Sequence, residues 1–287
     1  MDQGLARILK NQPKQVELNE EGFTIFPFLD DSDIKTLTEY FFSVQKELPE
    51  RFYSSTHSID PEFRIQTSDF IRKTVSHKVE DQCINYKLLG GAFVVKPPRG
   101  KGLLPPHQDW NIVDEDFFRS YNLWIPLVDV VVENGAVHVL QKSHRRMPTF
   151  RGPGIDSIFK DIDKEVWMNL TPLDMKAGEA LLYDHALLHA SPVNQTESVR
   201  LGIVCGIIPA KANMQMYFKN GDGVSTYKVT EEFFLQHDPM QGPADLTNLT
   251  KNFVYPDQLS LEQFNTIFME RAEKKSGWFN RLFVNKS

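Results

Sequence analysis

His107 and Asp109 stand two residues apart in the segment Pro106-His107-Gln108-Asp109-Trp110. Side chains alternate along an extended strand, so this spacing predicts both on one face. One imidazole nitrogen and one carboxylate oxygen are two of the three protein ligands of a 2-His-1-carboxylate iron site. The third must be a histidine brought close by folding, and the segment from Asp184 to Pro192 offers His185 and His189. These two are four apart, the spacing of a helix face in zinc proteases. Their neighbours Leu181, Leu182, Leu187 and Leu188 read as strand, however, and no glutamate follows either histidine at the required offset. We take His189, because Ser191 and Arg200 follow it, and expect His185 to cap a turn or face solvent. His107, Asp109 and His189 are therefore the expected metal ligands. A His-x-Asp pair alone is a weak signal; the Pro-Gly loop before it, the β-rich segment after it and the distant histidine cluster strengthen it. His57, His77, His138, His144 and His237 lack a carboxylate at strand spacing and read as structural or exposed.

Arg200 interrupts the otherwise apolar run Val199–Val204. A guanidinium is costly to bury without an anion. Two readings stay open: an exposed strand start paired with Glu197, or a bidentate clamp on a carboxylate.

The elements that must position these residues follow from the rest of the chain. With 287 residues, 41% of them hydrophobic, the chain can bury a large core. A net charge of −6 and a pI near 5.8 disfavour nucleic acid as a partner. Two cysteines, Cys83 and Cys205, make neither a disulfide scaffold nor a cysteine zinc site. There is no membrane-length apolar run and no secretory leader, so a soluble cytoplasmic protein is expected.

Residues 3–10 are expected to form one or two helical turns, and 20–27 a strand. A helix capped by Asp30, Asp31 or Ser32 carries Ile34, Leu37, Phe41, Val44 and Leu48 at helical spacing. A shorter helix is expected within 68–82. From Ile84 the texture turns to β: a strand to Lys96 with a bulge or close approach at Gly90-Gly91, then a loop over 97–106. Further strands are expected over 121–132, 136–140, 166–170, 180–183 and 199–209, with an Asn134-Gly135 hairpin turn and a surface loop over 142–164. A last helix is expected over 260–274, and no linker divides the chain.

Three runs occur in order: FVVKPPRGKGLLPPHQDW, LWIPLVDVVVENGAVHVLQKSH and AGEALLYDHALLHASPVNQTESVRLGI, after an opening LNEEGFTIFPFLDDSDI. Over about residues 18–210 the chain resembles the phytanoyl-CoA dioxygenase family of Fe(II)/2-oxoglutarate oxygenases. The resemblance implies a mainly β fold with flanking helices, a double-stranded β-helix (jelly-roll or cupin-like) core, and a single domain over 1–287. It implies Fe(II) on His107, Asp109 and His189, with 2-oxoglutarate and O2 as co-substrates. Arg200 matches the arginine for the distal carboxylate of 2-oxoglutarate, and Ser191 the hydroxyl assisting it. Trp124 falls where the family often has an aromatic near the co-substrate, although a core tryptophan would look the same. The implied reaction is hydroxylation of an unactivated C–H bond of a small molecule, with release of succinate and CO2. Where the family often has Pro-Gly, Gln141-Lys142 precede Ser143-His144, which leaves that turn open. A zinc hydrolase, a non-catalytic jelly-roll, and desaturation or cyclisation at the same iron are the rival readings. Halogenases of related type lack the carboxylate ligand, which Asp109 supplies. Three irregular segments, 49–66, 97–105 and 142–164, are expected at the barrel mouth, at least one closing over the iron.

Overall fold

The computed structural model describes residues 7–146, 149–221, 223–243, 245–254 and 258–269. The chain opens with α1 (Gln12–Glu21), β1 (Phe23–Pro27), α2 (Asp31–Val44), β2 (Tyr53–Ser54), the long α3 (Pro61–Gln82) and β3 (Tyr86–Lys96). Next come β4 (Leu104–His107), β5 (Tyr121–Pro126), β6 (Val137–Val139), α4 (Asp163–Trp167), β7 (Thr171–Leu173), β8 (Glu179–Asp184), β9 (His189–Ser191) and β10 (Arg200–Pro209). The last part adds β11 (Gln215–Asn220), β12 (Gly223–Lys228), α5 (Glu231–Gln236), β13 (Asn248–Val254) and α6 (Leu261–Phe264).

A large sheet runs in the order β1-β8-β5-β10-β3-β2 and a small one in the order β4-β9-β6-β7. Their paired strands are antiparallel. Alternation along each strand splits the apolar residues between two faces. Val94, Trp124, Leu181 and Tyr183 of the large sheet turn inward to meet Val137 and Val139 of the small one. Phe93, Val95, Leu123, Ile125 and Ile203 turn outward, against Leu37 and Phe41 of α2 and Ile71, Val75 and Val79 of α3. This is the expected jelly-roll: two facing sheets around an interior, with helices on the outside of one.

The helices begin where side chains satisfy their free N–H groups. Asp30 accepts from Ser32 and Asp33, and the Asp33 carboxylate returns to the Asp30 N–H. Asp60 caps α3, with Pro61 in its first turn. That signal extends the second helix to 22 residues, well beyond the expected 68–82. α1 was not anticipated, and the helix expected over 3–10 is absent at 7–10, where Leu9 bridges Cys83; residues 3–6 lie outside the described residues.

Other expectations change with topology. Asn134-Gly135 closes no hairpin, because β5 and β6 belong to different sheets. A single 3-10 turn ends there on Gly135 at φ 94°, and the chain crosses from one sheet to the other. The strand expected over 121–132 ends at Pro126, and 166–170 is the last part of α4 and the turn that follows it instead of a strand. The 97–106 loop gives way to β4 at Leu104. The 142–164 segment is no surface loop: Ser143, His144, Thr149, Arg151 and Phe159 are buried. Ile158, Phe159 and Ile162 pack against Phe264 and Phe268 from the tail, which draws the segment inward. The helix expected over 260–274 is α6 followed by a π turn at Asn265–Met269; residues 270–274 lie outside the described residues. The three-stranded sheet β11-β12-β13 and α5 are joined to the jelly-roll by the Val113–Met214 bridge and by Arg64, which donates to the Leu235 carbonyl at 2.8 Å. Among the described residues no helix is long and apolar enough to cross a membrane.

Gly91 sits where α3 crosses β3. A Cβ there would lie 2.4 Å from Ile71 Cγ2 and 2.7 Å from Ile71 Cβ. Gly91→Ala should therefore destabilise the fold by roughly 1–3 kcal/mol, read as a lower urea midpoint at unchanged slope. Adding Ile71→Ala should recover part of that loss. Strictly additive costs would show that the close approach is not what requires glycine.

Candidate metal centre

β4 and β9 pair with His107 directly opposite His189. Their rings lie 4.3 Å apart, centroid to centroid. β4 ends at His107, so Asp109 reaches the site from the following coil and not by alternation along a strand. Its N–H donates to the His185 carbonyl at 2.8 Å, which turns the carboxylate back toward the histidines. His107 Nε2 is 3.8 Å from Asp109 Oδ1, and His189 Nε2 is 3.8 Å from Oδ2. One ligand atom from each of the three residues lies within 4.8 Å of the others.

Both imidazoles are turned by the backbone. Nδ1 of His107 lies 2.7 Å from the Pro105 carbonyl, and Nδ1 of His189 lies 2.9 Å from the Leu187 carbonyl. A carbonyl only accepts, so in the neutral rings Nδ1 carries the hydrogen and each Nε2 presents a lone pair to the centre. Asn122 Nδ2 donates to Asp109 Oδ2 at 2.8 Å and orients the carboxylate. Burial, and then the neighbouring His189, hold the His107 pKa down at about 4, so its ring is neutral at pH 7. Burial alone would raise the Asp109 pKa, but His189, His185, His107 and the Asn122 hydrogen bond outweigh it and leave the pKa at about 2. Two lone pairs and one anion converge, the donor set a divalent first-row metal requires.

His185 stands outside this group. It is buried, not solvated, with Nδ1 near the Trp110 carbonyl (3.1 Å) and the Ser120 hydroxyl (3.0 Å). His138 and His144 are buried as well, while His57, His77 and His237 have intermediate or greater exposure.

A cavity of about 220 Å³ contains the three candidate ligands together with Trp124, Ser191 and Arg200. Arg200 is only 2% exposed. Its Nη1 donates to the Gly135 carbonyl at 2.6 Å and lies 3.5 Å from Ser191 Oγ, while its Nε is buried without a partner. Its guanidinium carbon lies 5.3 Å from the Trp124 ring centroid. Trp124 is thus both part of the core between the sheets and a wall for the arginine. Glu197 pairs with Arg99, so the reading of Arg200 as an exposed partner of Glu197 is set aside. Among the described residues Arg200 has no carboxylate partner, and burial pulls its pKa down to about 9.

Three residues here escaped the sequence reading. Lys96 lies opposite Arg200 across β3 and β10 and is 1% exposed. Its ammonium donates to the carbonyls of Gly102 (2.5 Å), Pro192 (2.6 Å) and Ser191 (3.2 Å), tying the approach to β4 to the end of β9. Burial and the charge of Arg200 lower its pKa to about 7, while three carbonyl acceptors favour the ammonium. A lysine ending the apolar run Ala92–Val95 was the same kind of signal as Arg200. Asn122 and Tyr183, hydrogen-bonded at 3.3 Å, are single polar groups within apolar strands, and Tyr183 packs edge-on to His189.

A buried guanidinium without an acid is a stability cost that a bound anion would relieve. Arg200→Met should therefore leave the ligand-free protein as stable as the parent or more stable, by up to about 4 kcal/mol in chemical unfolding. A loss of roughly 3 kcal/mol or more would make Arg200 a structural residue that the Gly135 carbonyl already satisfies.

The phytanoyl-CoA dioxygenase (PhyH) family model matches residues 43–202. Phytanoyl-CoA dioxygenase domain-containing protein 1 of Danio rerio is 29% identical over 160 residues, covering 50% of this chain and 52% of that protein. The protein of the same name from Mus musculus is 26% identical over 162 residues, with the same coverage. The chain thus spans about half the length of the curated relatives it matches. Among solved structures, the non-heme alpha ketoglutarate dependent carbocyclase SnoK from nogalamycin biosynthesis superposes with a TM-score of 0.51 at 16% identity, over 71% of this chain and 86% of that one. The epimerase SnoN, in complex with Fe3+, alpha ketoglutarate and nogalamycin RO, superposes with a TM-score of 0.52 at 16% identity, over 83% and 93%. At such identities the likeness is one of fold. The family match spans more than half of the 287 residues and includes every candidate residue of the cavity, and on it the chain belongs to the phytanoyl-CoA dioxygenase (PhyH) family.

Proposed function

We propose that this protein is an Fe(II)- and 2-oxoglutarate-dependent dioxygenase that hydroxylates an unactivated C–H bond of a small metabolite, with release of succinate and CO2. One observation carries the reading: a His-Asp-His donor set and a buried arginine without an acid share one cavity. His107 and His189, through Nε2, and Asp109 would hold the metal, and a set of only three protein ligands would leave it able to take a chelating co-substrate. Arg200, with the Ser191 hydroxyl beside it, would bind the distal carboxylate of 2-oxoglutarate in a planar fork. Trp124 would fix the guanidinium from its face, and Asn122 would keep the Asp109 carboxylate turned inward. Lys96 would hold the peptide frame around the co-substrate. When bound, the iron and its co-substrate supply an oxidant able to break an unactivated C–H bond with O2; the protein contributes orientation and exclusion of water.

A zinc hydrolase could use the same three ligands but would leave Arg200 without a task. We read residues 1–287 as one domain, because the tail packs onto the jelly-roll through Met214, Leu235 and the Arg72–Glu231 ion pair at 2.9 Å. Cys83 and Cys205 are both free thiols, which accords with a reducing, cytoplasmic setting.

Purified protein with Fe(II), 2-oxoglutarate, O2 and candidate substrates should form succinate, scored by mass spectrometry, and a chelator should stop it. Asp109→Ala should abolish turnover. Arg200→Lys should raise the KM for 2-oxoglutarate more than that for the substrate, since lysine lacks the planar fork, and Arg200→Ala should raise it far more, since truncating one partner of a buried charged pair costs about 2–5 kcal/mol. Full activity in Asp109→Ala, or an unchanged 2-oxoglutarate KM in Arg200→Ala, would contradict the assignment.

A further inference from the structure

Asp109 is the one candidate ligand that no strand holds. His107 ends β4 and His189 begins β9, while Asp109 lies in the coil after β4. The register that opposes the two histidines therefore does not fix the carboxylate. The segment 149–151 is bonded to this coil residue by residue. Thr149 Oγ1 donates to Gln108 Oε1 at 2.9 Å. Arg151 Nε donates to the Asp109 carbonyl at 2.6 Å. The Arg151 N–H donates to Asn111 Oδ1 at 2.7 Å, and the Asn111 N–H donates to the Arg151 carbonyl at 3.1 Å. On the other side the Asp109 N–H donates to the His185 carbonyl, so both backbone polar groups of Asp109 are engaged. The guanidinium is itself fixed. Glu115 accepts from Nη1 at 3.1 Å and from Nη2 at 2.5 Å, and Thr149 Oγ1 accepts from Nη1 at 2.9 Å. A planar fork held at its Nη end can aim Nε in one direction only. Glu115 also balances the charge, which leaves Arg151 to act on Asp109 through the backbone. Gln108, Asn111, Thr149 and Arg151 are all buried, so water competes little for these bonds. Behind the segment Gly152 lies against β11, where a Cβ would collide with the Tyr217 carbonyl.

We propose that Arg151 is a positioning residue for the metal centre: its guanidinium, braced by Glu115 and Thr149, clasps the coil that carries Asp109 and holds that carboxylate where His107 and His189 converge. This rests on the reading of His107, Asp109 and His189 as metal ligands and deepens it. The centre is then assembled from two sources, strand register for the histidines and the 149–151 segment for the carboxylate. Partners that orient a metal ligand are worth about tenfold to a hundredfold in metal affinity. Lysine keeps the charge of Arg151 but has no fork with which to reach Glu115 and the Asp109 carbonyl together.

Calorimetric titration of Ni(II) into the metal-free full chain tests this, with urea unfolding of the same samples as the measure of stability. Arg151→Lys should weaken Ni(II) binding about tenfold to a hundredfold. Thr149→Val removes the hydroxyl that ties Arg151 to Gln108 and should weaken binding in the same direction, while Thr149→Ser keeps the hydroxyl and should retain the wild-type affinity. This pair keeps the test decisive if Arg151→Lys does not fold. Arg64→Lys is the control for a purely structural role, since Arg64 is also buried but donates to the Leu235 carbonyl and not to the coil. It should lower the urea midpoint and leave the Ni(II) affinity unchanged. Wild-type affinity in folded Arg151→Lys, equal affinities in Thr149→Val and Thr149→Ser, or an equal loss of affinity in Arg64→Lys would overturn the inference. Asp109→Ala separates it from the reading beneath it. Ni(II) binding weakened by Asp109→Ala but not by Arg151→Lys would overturn the inference alone. Ni(II) binding that Asp109→Ala leaves unchanged would count against the metal centre itself.

Discussion

Strands Leu104–His107 and His189–Ser191 meet in an antiparallel register that sets His107 against His189, and the geometry of the centre depends on it. A slip of one residue in either strand would send its histidine to the face opposite the other's, since side chains alternate along a strand. The register shifts between Leu104 and His107, where Pro105 and Pro106 have no N–H to offer a partner. Such a strand is tolerated only at a sheet edge, and β4 is the edge of its sheet. The same prolines leave a carbonyl, that of Pro105, beside His107 Nδ1. One irregular edge strand therefore places the first histidine and fixes which of its nitrogens is free.

Charge is distributed around that register in a way a purely structural core would avoid. Arg200 and Lys96 are cross-strand neighbours inside the barrel, and their hydrogen-bond partners are uncharged carbonyls and a hydroxyl. Like charges so close, both desolvated, oppose each other and oppose burial. Gly135 makes room for Lys96: a Cβ there would approach the Lys96 side chain and the Pro192 carbonyl at 2.9 Å. Its carbonyl accepts from both Arg200 and Ser191, so the crossing turn between the sheets also orients the cationic end of the cavity. Positive charge collects at one end and two imidazoles with a carboxylate at the other, a polarity suited to a small dianion that also binds a metal.

The fold and the centre were legible in the sequence where local signals and chemistry agreed. His107, Asp109, His189, Ser191 and Arg200 carry residue types that are costly or purposeless in an apolar barrel, and the jelly-roll brings all five to one cavity. What escaped depended on tertiary partners. Asp109 reaches the site through a backbone hydrogen bond to His185, not through the alternation that first drew attention to it. The Asn134-Gly135 pair has the composition of a hairpin turn yet joins two sheets, because local turn propensity does not specify which strands pair. The 142–164 segment, with Gly152, Pro153 and Gly154, reads as a surface loop, but Glu115, 36 residues before Arg151, holds that arginine inside at 2.5 Å. A lysine at the end of an apolar strand usually reaches solvent, so nothing in the sequence alone marks Lys96 as buried, and here three carbonyls hold it in.

The central claim is that His107, Asp109 and His189 bind one metal ion while Arg200 holds the far end of a chelating co-substrate. Anomalous diffraction from crystals grown with Mn(II) and 2-oxoglutarate tests it most directly. The account predicts a single strong anomalous peak bonded directly to one nitrogen of His107, one nitrogen of His189 and a carboxylate oxygen of Asp109, with the distal carboxylate of 2-oxoglutarate on the Arg200 guanidinium. A metal held by His185 in place of His189, or a 2-oxoglutarate whose distal carboxylate lies away from Arg200, would contradict it.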